Sequence, residues 1–179
     1  MCEYCGQANH RIPEPTEGSG TGTGGQSSGS KPTYTVEQIA QYLYQGYWED
    51  TGRTERSYDV QSGGELTVNL SGLNATGKDT ARKALESWTA ITGIDFVETT
   101  GSADMTFDDN NSGAYASSSV SNGTILSSSI NVDSGWSQYG NYYLQTYIHE
   151  IGHALGLGHT GNYNGSASYG SDAHVANDS

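Results

Sequence analysis

Three of the chain's five histidines fall within eleven residues, in the run His149-Glu150-Ile151-Gly152-His153-Ala154-Leu155-Gly156-Leu157-Gly158-His159. No other feature constrains the local fold as tightly. A helix turning about 100° per residue brings His149 and His153 to one face, about 40° apart and one turn along. Both imidazoles can then reach a single ion at metal–nitrogen distances near 2 Å. A straight helix would carry His159 about 15 Å down the axis from His149, so the backbone must leave the helix and turn back. Gly156 supplies the bend, because a residue without Cβ enters left-handed backbone at a helix end without penalty.

These residue types point to a catalytic metal. Three neutral imidazoles leave one position of a zinc ion open for water, whose pKa the ion lowers towards neutrality. Glu150 stands beside the first ligand and is the candidate general base, taking the water's proton during attack on a peptide carbonyl and returning it to the leaving amine. A bare His-x-x-x-His pair is more often a polar or packed helix face; the full eleven-residue pattern is not. Tyr143, Leu144, Tyr147, Ile148 and Ile151 read as the buried side of the same helix.

Composition limits the rest of the fold. Leu, Ile, Val and Phe make up only about 15% of the 179 residues and the net charge is −13, a balance shared with disordered chains. Thirteen Tyr and three Trp offset this, since they bury large areas while keeping a polar tip. A core built on aromatics rather than aliphatics is therefore open to this chain. All Lys and Arg lie at or before Lys83, and an acidic field over the remainder disfavours phosphate backbones and anionic lipid. No run of 18 apolar residues occurs, so neither nucleic acid nor membrane is an expected partner.

Between residues 16 and 30 nearly every position is Gly, Ser or Thr, too polar and too flexible to bury anything. Residues 1–32 are read as a tail and linker, and 33–179 as the functional domain. Within the latter, Val36, Ile39, Ala40 and Leu43 mark one face of a helix over 35–47, and Leu66, Val68 and Leu70 alternate as in a half-buried strand. A helix over 77–92 has Ala81, Ala84, Leu85, Trp88 and Ile91 on one stripe, Thr76 as N-cap and Gly93 as its stop. Strands are predicted over 94–99, 103–107 and 124–132, a weaker one over 113–118, and the metal helix over 142–155. This order implies an α+β fold, a mixed twisted sheet backed by helices.

At the histidine run the chain resembles the metzincin zinc endopeptidases. With the sequel Gly161-Asn162-Tyr163-Asn164 it is most similar to serralysins, with a matrixin as the nearest alternative. The resemblance extends loosely upstream through Ser87-Trp88, Ile94-Asp-Phe-Val-Glu-Thr99 and Ala103-Asp-Met-Thr-Phe107. It departs from the serralysin pattern at Thr160, where Pro is usual, and at Asn162, where an acidic residue is usual.

The resemblance implies a zincin fold and a secreted zinc-dependent endopeptidase. His149, His153 and His159 would be the metal ligands and Glu150 the catalytic base. A peptide or protein substrate would lie extended along an edge strand, near Gly113-Ala-Tyr-Ala116, on a monomeric enzyme. In that family a Met-turn follows the segment matching Ala176-Asn177-Asp178. The only methionines here are Met1 and Met105, so the expectation is a fragment whose C-terminal subdomain is incomplete. No signal peptide is evident in the N-terminal residues; an export signal would lie beyond the C-terminal end. The competing reading is a catalytically incompetent metal-binding fragment or scaffold.

Cys2 and Cys5 could form a small disulfide, bind metal or lie across the zinc as a latency switch; a passive, removable tail is the reading adopted. His10 and His174 are read as solvated or locally bonded histidines, not as ligands. Calcium is a second candidate ion: Glu49-Asp50 and Asp108-Asp109 offer oxygen ligands, but neither has the spacing of an EF-hand loop, and both are read as solvated faces.

Overall fold

A computed structural model describes residues 34–161. The tail with Cys2, Cys5 and His10, and the positions 162–164, 174 and 176–178 discussed above, lie outside the described residues.

The elements run in the order α1 (Val36–Gln41), a π-helical segment (Tyr42–Gly46), α2 (Tyr47–Asp50), β1 (Glu65–Gly72), α3 (Ala75–Thr92), β2 (Asp95–Glu98), β3 (Met105–Asp108), β4 (Ala114–Ser121), β5 (Thr124–Val132), a 3₁₀ turn (Ser134–Tyr139) and α4 (Asn141–Ala154). The five strands form one mixed sheet in the order β2-β1-β3-β5-β4. β1 is parallel to β2 and β3, and β3 is parallel to β5. β4 runs antiparallel to β5 at the sheet's edge. The α+β expectation holds.

The core lies between the sheet and the helices α3 and α4. Leu66, Val68 and Leu70 of β1 point into it in strict alternation, joined by Met105 and Phe107 of β3 and Ile125, Ile130 and Val132 of β5. From above come Ala81, Ala84 and Leu85 of α3 and Tyr143, Tyr147, Ile151 and Ala154 of α4. Small residues on α3 let it approach α4, whose tyrosines supply the volume that the scarce aliphatics do not. Tyr147 stacks on Phe107 at 6.5 Å between centroids and meets Tyr143 edge to face at 5.1 Å.

Four details differ from the sequence expectation. The first helix begins as a capping box between Thr35 and Gln38, yet Val36 is 77% exposed and burial concentrates at Tyr47 and Trp48. The wider π turn between them shifts the phase of the apolar stripe. The α3 N-cap is Asn74, whose side chain accepts from Gly77 N at 2.9 Å; Thr76 is already inside the helix. Gly93 ends α3 at φ 72° as expected, but Ile91 is 79% exposed. The packed stripe stops at Trp88, and hydroxyls secure the last turn, Thr92 to Trp88 O and Thr89 to Ile94 O, both at 2.8 Å. Asp109 is buried, and its carboxylate accepts from Asn74 N at 2.9 Å. It braces the start of α3 and is not a solvated face.

Candidate metal centre

α4 carries the first two imidazoles. His149 and His153 sit one turn apart, with ring centroids 4.4 Å apart and Nε2 atoms 2.9 Å apart. The helix ends at Ala154. Leu155 N bonds to Ile151 O at 2.9 Å, Gly156 N to His153 O at 3.0 Å and Leu157 N to Gly152 O at 3.0 Å. Gly156 then turns the chain at φ 110°. A side chain there would suffer twice, from the positive φ and from a Cβ driven into the Arg56 carbonyl.

The turn brings His159 back to its partners, with ring centroids 4.5 Å from His153 and 5.6 Å from His149. One nitrogen from each of the three rings falls within a set spanning no more than 4.8 Å. Tetrahedral zinc with ligands near 2.0–2.1 Å needs nitrogens roughly 3.3–3.4 Å apart, so the donor set fits a single ion. His153 Nδ1 lies 2.8 Å from Leu157 O. Donating there leaves the Nε2 lone pair of the neutral ring aimed at the other two imidazoles, as metal-ligating histidines require.

Glu150 is 4% exposed, on the side of α4 turned into the protein. Burial alone pushes its carboxyl up to about 8. Among the described residues the three histidines are the one group of metal-capable side chains close enough to share an ion. The acidic pairs considered for calcium are engaged otherwise: Glu49 accepts from Gln45, Asp50 from Tyr42, Asp108 from Asn110 and Asp109 from Asn74.

Several groups whose part in this centre the sequence pattern did not indicate also shape it. Trp88 donates its indole N–H to Ile148 O at 3.0 Å and packs beside Gly152. Trp48 donates to Gly156 O at 2.8 Å, and Tyr47 meets the His159 ring edge-on at 5.2 Å. The Arg53 and Arg56 guanidiniums lie over the Trp48 ring, 4.8 and 4.0 Å from its centroid. The adjacent aromatics Tyr47-Trp48 were visible in the sequence, but no motif connects them with a histidine over a hundred positions away.

A family model, that of the Peptidase_M10 matrixins, matches residues 65–168, more than half of the chain, including the whole histidine run. The chain belongs to the matrixin family of M10 peptidases. Its relatives bear out the serralysin-like resemblance within the metzincins. This matrixin-family chain is 32% identical over 168 residues to "Metalloprotease AprA" of Pseudomonas entomophila (strain L48), covering 79% of the chain and 34% of that protein. It is 31% identical over 175 residues to "Metallopeptidase AprA" of Pseudomonas marginalis, covering 79% and 37%. With "Serralysin" of Photorhabdus laumondii it shares 34% identity over 116 residues, covering 54% and 23%. The chain spans about a third of the length of the two AprA relatives.

Among solved structures, myroilysin is similar at TM-score 0.42 and 23% identity, over 56% of this chain and 51% of that one. The hatching enzyme zinc-protease HCE-1 of Oryzias latipes is similar at 0.43 and 21%, over 58% and 50%. No helix among the described residues is long and apolar enough to cross a membrane.

Proposed function

We propose that this matrixin-family chain is the catalytic region of a secreted zinc-dependent endopeptidase, in which His149, His153 and His159 hold the zinc and Glu150 is the general base. The observation that carries this reading is the convergence of three imidazole nitrogens within 4.8 Å, with His153 oriented through Leu157 O. When bound, zinc supplies Lewis-acid polarisation of a carbonyl and acidifies water. The chain's own residues do the rest. Glu150, next to the first imidazole and shielded from bulk water, accepts a proton from the attacking water in its ionised form, which a bound cation would favour against the effect of burial, and passes it to the departing amine nitrogen.

The substrate is a peptide in extended form. Among the described residues β4 is the last strand of the sheet, paired with β5, and an edge strand is the element suited to pairing with a guest backbone. Its first residues, from Ala114 to Ala116, are those singled out from the sequence. Residues 1–32 act as a tail preceding this domain.

Casein or fluorogenic-peptide hydrolysis by wild type and Glu150→Gln tests the assignment. The variant retains zinc and loses about a hundred- to ten-thousand-fold in rate. A variant that cleaves as fast as wild type excludes Glu150 as the base; a zinc-loaded wild type that cleaves no peptide favours a binding or scaffold role.

A further inference from the structure

Resting on the zinc reading above, we propose that the N-terminal helical segment, α1 through α2, is a clamp that holds His159 in ligating position, with Trp48 and Tyr47 as its positioning residues. The backbone at His149 and His153 is fixed by the hydrogen bonds of α4 itself. His159 is not: it lies five positions past the helix's last residue, on a turn containing two glycines. A short glycine-bearing loop loses substantial conformational entropy on being ordered; the bonds described above tie it to α4 as far as Leu157, and Gly158 and His159 lie beyond them.

The N-terminal helix meets this loop at three points. Trp48 Nε1–H donates to Gly156 O at 2.8 Å, in a buried hydrogen bond. Gly158 N–H donates to Leu43 O at 2.6 Å. Tyr47 packs so closely on Gly158 that a Cβ there would run into its ring, while its edge meets the His159 imidazole at an interplanar angle of 90°.

The π turn makes the middle contact available. Tyr47 N–H bonds to Tyr42 O, five residues back, where a regular α-helix would direct it to Leu43 O. The Leu43 carbonyl is thus turned to an outside donor, a use typical of π-bulges near functional sites. The clamp is itself braced: Arg53 donates to the Tyr47 hydroxyl at 3.1 Å and its guanidinium lies over Trp48, with Arg56 closer still. These residues lie outside the interval 65–168 matched by the family model.

The test is zinc affinity of the full chain, measured by competition with a chromogenic chelator in a Cys2→Ser/Cys5→Ser background that removes competing thiols. Trp48→Phe keeps an aromatic ring but deletes the indole donor. Its affinity falls about tenfold, the low end of what outer-shell losses cost, while the circular dichroism of the chelator-treated protein stays that of wild type. If Trp48→Phe does not fold, Gly158→Ala, which places one methyl against Tyr47, carries the test with the same expected loss. Unchanged affinity in the folded variant, with His159→Ala strongly weakened, overturns the clamp and leaves the zinc reading standing. Unchanged zinc uptake in both His149→Ala and His159→Ala overturns the zinc reading and the clamp with it.

Discussion

Trp88 of α3 donates its indole N–H to the carbonyl of Ile148, 3.0 Å away and one residue before the first imidazole. Its ring also fills the space beside Gly152, where an added Cβ would come within 3.0 Å of Cζ2. This side chain ties α3 to the helix that carries His149, Glu150 and His153, beside the packing of Ala81, Ala84 and Leu85. Trp88→Phe retains much of the packing and loses the hydrogen bond, lowering stability by about 1 kcal/mol in urea unfolding of the chelator-treated protein. A midpoint identical to wild type would remove the anchoring role of the indole.

Gly156 combines φ 110° with close approach of the Arg56 carbonyl. Gly156→Ala is expected to cost about 1–3 kcal/mol in backbone strain, with the damage centred on the loop that returns His159. Zinc affinity therefore falls more than global stability does. Equal affinities for wild type and variant would mean that the loop accommodates the methyl elsewhere.

Asn74 caps α3 by accepting from Gly77 N, and its own N–H is held by the buried Asp109 carboxylate. Asn74→Ala removes the cap and costs about 1 kcal/mol. Thr76→Ala, inside the helix, costs less. The comparison of the two unfolding midpoints checks which residue starts the helix.

Tyr58 bridges the sheet. Its hydroxyl donates to Asp104 O at 2.8 Å and lies 2.9 Å from Ser128 Oγ, which also approaches Ala154 O and Ser118 Oγ. Burial pushes this phenol up to about 12 from an ordinary 10.0. Because the folded state favours the neutral form, the contribution is complete below pH 10 and is lost as pH rises through about 12. Tyr58→Phe is less stable than wild type by about 1 kcal/mol at neutral pH, and the gap narrows between pH 10 and 12. Parallel stability curves over that range would contradict the assignment.

Much of this was legible in the sequence because the relevant signals are local. Leu66, Val68 and Leu70 alternate and are buried in alternation, the strand over 124–132 has the observed limits, and Gly93 stops α3 in left-handed backbone. The three histidines were readable as a converging set because the helical turn and Gly156 leave the chain few other paths. What escaped was non-local. The periodicity of Val36, Ile39 and Leu43 shows that a helix forms, but not that a π turn rotates its buried end to Tyr47 and Trp48. Nothing near Trp48 in sequence indicates that its partner is Gly156, and nothing near Asp109 indicates that it supports Asn74. The 3₁₀ turn before α4, started by Asp133 accepting from Gly135 N, has no apolar period to betray it.

The central claim is that these imidazoles share one ion. Metal content of the dialysed full chain, in the background lacking Cys2 and Cys5, tests it most directly. About one zinc per chain in both wild type and Glu150→Gln, with most of it lost in His159→Ala, is the predicted result. A wild type that retains no zinc, or a His159→Ala chain that holds as much as wild type, would contradict it.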